Sequence, residues 1–403
     1  MKILHTADWH LGKKLDHFAR HDEQVEVLAE IEQIAEEHAV DLILVAGDLF
    51  DTFNPPVESM ELAYRTLKRL AKNGDRPVVV IAGNHDSPDR IELPDAFARE
   101  CGILFFGYPQ SEIKKGIVGN GFEITQSAPG FVELKSSKFH NPVRIITTAY
   151  ANEYRMNAWL GHDDKEQALR ELLQKHWLDL TDQYCDEQGI NILCAHLFLI
   201  KEGEKAEAEP EGEKPILDVG GAQVIFSNCI PQAIQYTALG HLHRMHQVNG
   251  ANGLVAYSGS PLAYSFSEAG QEKFVAIVAL ELAKPAQIQK IPLSKGKKLL
   301  SVKAQNTEEA KAILLQNQDC LIELTLQTSD FINQLEVKEL NSMHQGIIRI
   351  VPEFINQKSV ATKTVIDPLA DMETLFVQYF ESKKGAKPND EILQLFKEIQ
   401  QAE

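Results

Sequence analysis

Apolar and polar positions along this chain follow two rhythms, and its chemistry sits where one rhythm breaks off. Five short apolar runs, rich in β-branched residues, read as buried strands. They are Lys2–Ala7, Leu42–Gly47, Val78–Gly83, Asn191–Ala195 and Tyr236–Gly240. Each leads directly into groups able to bind a metal: Asp8 and His10; Asp48; Asn84, His85 and Asp86; His196; His241 and His243. Such groups converge only if their strands lie side by side, so one sheet is expected to gather them at one edge. Between the runs the period lengthens to that of a helix. Gln24–His38 and Glu58–Lys72 carry apolar residues at helical spacing, each just before a ligand-bearing strand. This alternation predicts a sheet covered by helices.

From about Gly116 the alternation gives way to Gly-rich, strand-like segments such as Pro142–Thr148, and Lys273–Leu280 completes an α/β sandwich near residue 290. A compact α+β module is expected from 291 to 351, with a helix at Thr307–Gln316 and strands at Leu321–Leu326 and Ile347–Val351. Residues 352–403 read as a polar linker and two amphipathic helices. The first opens on Asp367 as N-cap with Pro368 behind it and runs to Ser382, and the second covers Asn389–Gln400. Their stripes (Leu369, Met372, Leu375, Phe376, Tyr379 and Phe380; Ile392, Leu393, Phe396 and Ile399) suit either packing on this chain or docking on another protein.

At 403 residues the chain exceeds a single core. No stretch approaches the roughly 18–20 apolar residues of a membrane span, and a strand rather than a signal peptide opens the sequence. Five scattered cysteines, none in a C-x-x-C pair, argue against a disulfide framework or zinc knuckle and fit a reducing cytoplasm. A net charge of −18 is unlike a freestanding nucleic-acid binder. If the substrate is a polynucleotide, a partner supplies much of the grip. Part of the acidity lies in the low-complexity run Lys201–Lys214, which reads as a solvated loop.

Asp8 and His10 stand two apart, which on a strand puts both on one face. Asp48 is the natural bridging carboxylate, since its two oxygens can hold two cations. Asn84 adds a neutral carbonyl, and His196, His241 and His243 add imidazoles. Seven oxygen and nitrogen donors without a thiolate suit two hard-to-borderline divalent ions. Such a pair, about 3.5–4 Å apart, stabilises the attacking and leaving oxygens of an in-line displacement at phosphorus. His85, beside Asn84, is the candidate general acid for the leaving group, with Asp86 orienting its ring. Gly47, Gly83 and Gly240 precede ligands where the backbone has to turn tightly. The other histidines read as surface or structural groups. Lys13, Lys14, Arg20, Arg90 and Arg244 flank the motif loops as solvated charges within reach of phosphates.

In order, Asp8-Trp-His10-Leu-Gly, Gly47-Asp-Leu-Phe-Asp51-Thr, Gly83-Asn-His-Asp-Ser87, His196 and Gly240-His-Leu-His243 resemble the motif series of the calcineurin-like metallophosphoesterases. The opening Asp8-Trp-His-Leu-Gly-Lys13 and Tyr257-Ser-Gly-Ser-Pro261 followed by Ser265-Phe266 are similar to the branch of DNA double-strand-break repair nucleases. The resemblance implies a two-sheet sandwich flanked by helices, a small capping domain and a helical tail. It implies a manganese-dependent nuclease with exonuclease action on double-stranded ends and endonuclease action on single strands and hairpins. Such a hydrolase would serve DNA repair, recombination and replication beside a coiled-coil ATPase bound by the tail, as a homodimer within a heterotetramer. Carried over by position, one ion takes Asp8, His10, Asp48 and His243, and the other takes Asp48, Asn84, His196 and His241. Two features depart from the pattern: Asp51 stands where some members carry a second histidine, and the acidic run is an insertion. The alternative on the same fold is a phosphomonoesterase or cyclic-nucleotide phosphodiesterase. An inactive scaffold is a third reading, disfavoured by the complete ligand series.

Overall fold

The computed structural model describes residues 1–119, 121–159, 164–204, 224–328, 332–354 and 372–384, with 388, 392–394 and 396. Residues 205–214 of the acidic run and the expected cap at Asp367 and Pro368 lie outside these. By internal contact the chain forms two units. One comprises residues 1–301, 317–323 and 346–349; the other comprises 302–316, 324–345 and 350–403.

In the first unit, Leu42–Ala46 and Val78–Ile81 are buried at every position, as strands covered on both faces must be. They belong to a six-stranded sheet ordered Gln287–Pro292, Phe274–Ala279, Lys2–Thr6, Leu42–Ala46, Val78–Ile81, Ile103–Phe106. The last four strands are parallel and the first two antiparallel. A second, eight-stranded sheet runs His246–Val248, Leu254–Tyr257, Tyr236–Gly240, Ile190–His196, Val143–Thr148, Phe131–Lys135, Phe122–Ala128, Gly116–Val118. Its centre, from Leu254–Tyr257 to Val143–Thr148, is parallel.

The two sheets face each other across one apolar core. Ile3, Leu44, Val45 and Val80 of the first pack with Ile145, Ile192, Tyr236 and Ala238 of the second. The expected helices form as His21–Glu37 and Val57–Leu70, burying Leu28, Ile31, Leu62, Ala63 and Leu67 on that core. A 20-residue helix, Lys165–Tyr184, covers the outer face of the second sheet with Leu169, Leu173 and Trp177.

The second unit holds Thr307–Gln316 and Gln334–Met343, two helices that bury Ala310, Leu314 and Leu340, with the later parts of Lys298–Ala304, Cys320–Thr328 and Ile347–Phe354. The sequence pattern did not predict the second helix. Val337, Leu340 and Met343 stand at helical spacing but only Leu340 is fully buried, and at the helix start the Asn333 side chain caps Leu335 N–H at 2.9 Å. In the tail, Met372–Lys384 is helical, and Phe376 stacks on Phe396 with ring centroids 4.2 Å apart. The two expected stripes meet each other at that point.

Candidate metal centre

Asp8 and His10 follow the Lys2–Thr6 strand, Asp48 follows Leu42–Ala46, and Asn84 follows Val78–Ile81. His196 ends its strand in the other sheet, and His241 and His243 follow Tyr236–Gly240. The donors therefore come from two sheets meeting at one end of the sandwich, not from the edge of one. The expectation that Asp8 and His10 share a strand face also fails, because both lie past the strand. Their convergence comes from a left-handed backbone: φ is 53° at Asp8, 43° at His10, 46° at Asp48 and 105° at His241. Outside glycine this costs on the order of 1 kcal/mol or more per residue. Cross-loop bonds hold it, with Asp8 N–H on the Gly47 carbonyl and His10 N–H on the Asp48 carbonyl, both at 3.0 Å.

Gly47 has φ +92°, and a Cβ there would strike the His196 ring. Gly83 and Gly240 need no unusual backbone. They are glycine because Asp48 lies against the first and the Ala46 carbonyl against the second, leaving no space for a side chain. Close approach, more than turning, explains those two.

All seven expected donors are buried to 3 % exposure or less. The Asn84 Oδ1 lies 2.9 Å from His196 Nε2 and 3.1 Å from His241 Nδ1. His10 Nε2 and His243 Nε2 face each other at 3.0 Å. Asp48 stands between these groups, its Oδ2 3.4 Å from His196 Nε2 and 3.7 Å from His10 Nε2. Asp8 Oδ1 accepts from His241 N–H at 2.9 Å. Asp8, His10 and Asp48 offer ligand atoms all within 4.8 Å of one another. Among the described residues, Oδ2 of Asp8 and Oδ2 of Asp48 have no hydrogen-bond partner although both are buried. Two unsatisfied carboxylate oxygens aimed into a cluster of imidazoles are what a cation would satisfy. The donor set fits divalent ions.

Outer contacts fix which ring nitrogens face inward. His196 donates Nδ1–H to the Ala46 carbonyl at 2.8 Å, which turns Nε2 to the cluster. His243 Nδ1 lies 3.2 Å from Glu268 Oε1, and Glu268 is itself paired with Lys273. This carboxylate–histidine contact, typical of metal sites, was missed in the sequence. Ser265-x-x-Glu268 is a capping-box pattern, and Glu268 closes that box with its Oε1. The pattern could have flagged the residue but not its second task.

His85 donates N–H to Asp48 Oδ1 at 2.8 Å, and its ring Nδ1 meets the Asp51 carbonyl at 2.9 Å. Its ring packs edge-on to His10 at 4.9 Å. Asp86, expected to orient this ring, instead accepts the N–H groups of Leu49, Phe50 and Gly83 at 2.9–3.0 Å. It ties the Asp48 loop to the Asn84 loop, and the Asp51 backbone takes the orienting contact. The Asp51 carboxylate pairs with Lys13 at 2.8 Å and lies 3.5 Å from His10 Nδ1. Arg155, also unforeseen, is buried and donates to the carbonyls of Gly83 at 2.7 Å and Asp86 at 2.8 Å. It thus clamps the loop that carries His85.

The electrostatics ask for positive charge. Burial acts to raise the Asp48 carboxyl, but His196, His85 and His10 outweigh it and hold the group well below the ordinary range. Asp8 goes the other way, burial and the Asp48 charge raising it against the pull of the imidazoles. Burial should discharge His196, yet Asp48 and Asp8 drive its imidazole up to about 9. Divalent ions would meet the same demand and leave the ring neutral, as a ligand must be. Burial raises Asp51 less than His10 and Lys13 lower it, to about 2.

Sandwich and donor set together define a metal-dependent phosphoesterase. The family model of the calcineurin-like phosphoesterases matches residues 1–244. The D subunit of the nuclease SbcCD from Bacillus subtilis is 35% identical over 407 residues, spanning 99% of this chain and 97% of its own. Its namesake from Rhodobacter capsulatus is 31% identical over 320 residues, 78% of this chain and 74% of the relative. The one from Staphylococcus epidermidis is 31% identical over 281 residues, 70% and 66% respectively. The chain belongs to the calcineurin-like phosphoesterases, in the branch of the nuclease SbcCD D subunits.

Proposed function

We propose that this chain is the nuclease subunit of a DNA end-processing complex, cutting phosphodiester bonds with two divalent ions, physiologically Mn²⁺. The observation that carries the reading is the convergence of Asp8, His10, Asp48, Asn84, His196, His241 and His243, with two buried carboxylate oxygens unsatisfied among the described residues. Asp8, His10, Asp48 and His243 would hold one ion, and Asp48, Asn84, His196 and His241 the other. Bound there, such ions would supply charge stabilisation to the attacking and leaving oxygens at phosphorus. His85 is the general acid: with Nδ1 on the Asp51 carbonyl, its Nε2 gives the leaving oxygen its proton. Asp86 and Arg155 set the loop on which that ring rides.

The named relatives are D subunits of a complex called SbcCD, which supports an SbcC-type coiled-coil ATPase as partner and DNA as substrate. A chain of net charge −18 needs such help to hold a polyanion. We assign residues 291–351 to a capping domain that selects DNA and 352–403 to the partner-binding tail. Two copies would pair within the complex, in the cytoplasm. Among the described residues no helix is long and apolar enough to cross a membrane.

The test is cleavage of end-labelled duplex and hairpin DNA with Mn²⁺, with and without the ATPase and ATP, beside a phosphomonoester. DNA cutting that disappears in Asp48→Ala and rises with the partner is expected. Turnover of the monoester with DNA left intact would transfer the chain to the phosphatases.

A further inference from the structure

The turn that carries Asp8 and His10 has a left-handed backbone at three positions: φ is 53° at Asp8, 43° at His10 and 94° at Gly12. At residues other than glycine such strain persists only where the surroundings over-determine it. The bonds to the Gly47 and Asp48 carbonyls use N–H groups of this turn, and its own carbonyls need partners as well. Two buried side chains outside the donor series meet them.

Gln24, on the His21–Glu37 helix and 1 % exposed, spans the turn. Its Nε2 donates to the His10 carbonyl at 2.9 Å, and its Oε1 accepts from Gly12 N–H at 3.2 Å. Tyr264, also buried, donates its hydroxyl to the Trp9 carbonyl. Its ring stands edge-on to two of the candidate donors, His10 at 5.4 Å and His243 at 6.0 Å. The Tyr264 N–H goes to Glu268 Oε1 at 3.0 Å, the oxygen that also meets His243 Nδ1.

Arg20 fixes the tyrosine in turn. Its guanidinium is buried, donates to the Ala263 carbonyl at 2.7 Å, and gives two N–H groups to the Glu23 carboxylate at 2.7 and 3.0 Å. The first turns of one helix and the segment 263–268 therefore converge on His10 and His243, one donor from each sheet. Metal–ligand distances hold to within about 0.2 Å, so the aim of each ring bears directly on affinity. The candidate donors Asn84, His196 and His241 make none of these contacts with Gln24 or Tyr264.

We propose that Gln24 and Tyr264 are positioning residues for one of the two ions, the one assigned to Asp8, His10, Asp48 and His243. The assignment rests on the two-ion reading of the centre. Titration calorimetry of the full chain with MnCl₂ tests it in two backgrounds, His196→Ala, which cripples the other position, and His243→Ala, which cripples this one. Gln24→Leu is expected to weaken the ion remaining in His196→Ala by roughly 10–100-fold and to leave the ion remaining in His243→Ala unchanged. Tyr264→Phe keeps the ring and loses only the bond to Trp9, so it should weaken the same ion by a smaller factor. Ile34→Ala loosens the same helix from the core about 15 Å farther along, and both affinities should survive it. An equal loss in both backgrounds, or a like loss in Ile34→Ala, would reduce Gln24 and Tyr264 to packing and overturn the proposal. Unchanged affinity in both backgrounds would overturn it too. Wild-type protein that takes up fewer than two Mn²⁺ would instead remove the two-ion reading, and this assignment with it.

Discussion

At the scale of single residues, the site separates groups that touch ions or substrate from groups that set their direction. His85 is proposed as one of the first kind; its backbone N–H holds Asp48 and its ring is oriented by the Asp51 carbonyl. In His85→Ala both ions should stay bound and turnover should fall by roughly 10²–10⁴, the usual size of a general-acid effect. Metal content measured on the purified variant checks this; ions lost together with activity would make His85 a ligand. Glu268 belongs to the second kind. Its contact with the candidate donors runs through His243, and burial fails to raise its carboxyl because His243 and Lys273 hold it far below the carboxylate range. Glu268→Gln should weaken Mn²⁺ binding by roughly 10–100-fold. Calorimetric titration with the metal alone reads this, and an unchanged affinity would leave Glu268 a purely structural cap.

At the scale of elements, the donors depend on how loops pass one another at the strand ends. The Asp48 loop and the Asn84 loop touch through Gly83, where an added Cβ would meet the Asp48 carboxylate and backbone. Gly83→Ala should therefore push the Asp48 carboxylate aside while the two sheets, whose core it does not enter, stay assembled. The expected result is an unchanged far-ultraviolet spectrum with Mn²⁺ affinity and phosphodiester turnover both reduced at least ten-fold. Full activity in that variant would mean that the loops yield. Arg155 holds the same loop through the Gly83 and Asp86 carbonyls, its guanidinium lying over the rings of Tyr150, at 5.2 Å, and Phe53, at 5.9 Å.

At the scale of the molecule, His5 joins the two sheets. It sits on Lys2–Thr6 of one sheet, fully buried, with Nδ1 2.7 Å from the Tyr236 hydroxyl of the other. Burial lowers its imidazole from 6.5 to about 3. Between those values the unfolded chain binds a proton that the folded chain refuses, so this contribution falls as pH drops through the window. Its slope approaches about 1.4 kcal/mol per pH unit. Urea unfolding between pH 7 and 5 should show it, and His5→Gln should flatten the dependence by up to about one proton. The same slope in both proteins would place the acid sensitivity elsewhere.

The positions of the candidate donors at or just past strand ends were legible in one dimension. So were the two amphipathic helices over the first sheet. That is because a buried strand and a core-facing helix impose their periods on the sequence directly. The small helix at Gln334–Met343 was not predicted; it is only ten residues long and fully buries a single residue, Leu340, so the core left a weak imprint on its sequence.

The site divides in the same way. The kinds of donor and their number follow from side-chain chemistry, so the sequence alone pointed to a metal-dependent phosphoesterase centre. Only the tertiary structure decided how they meet: on two sheets rather than one, through left-handed turns at Asp8, His10, Asp48 and His241. It also decided that Asp51 and not Asp86 orients His85, and that Glu268 stands behind His243. Those contacts join residues up to 233 positions apart, as His241 N–H on Asp8 does. Packing sets such distances, and no local period in the chain records them.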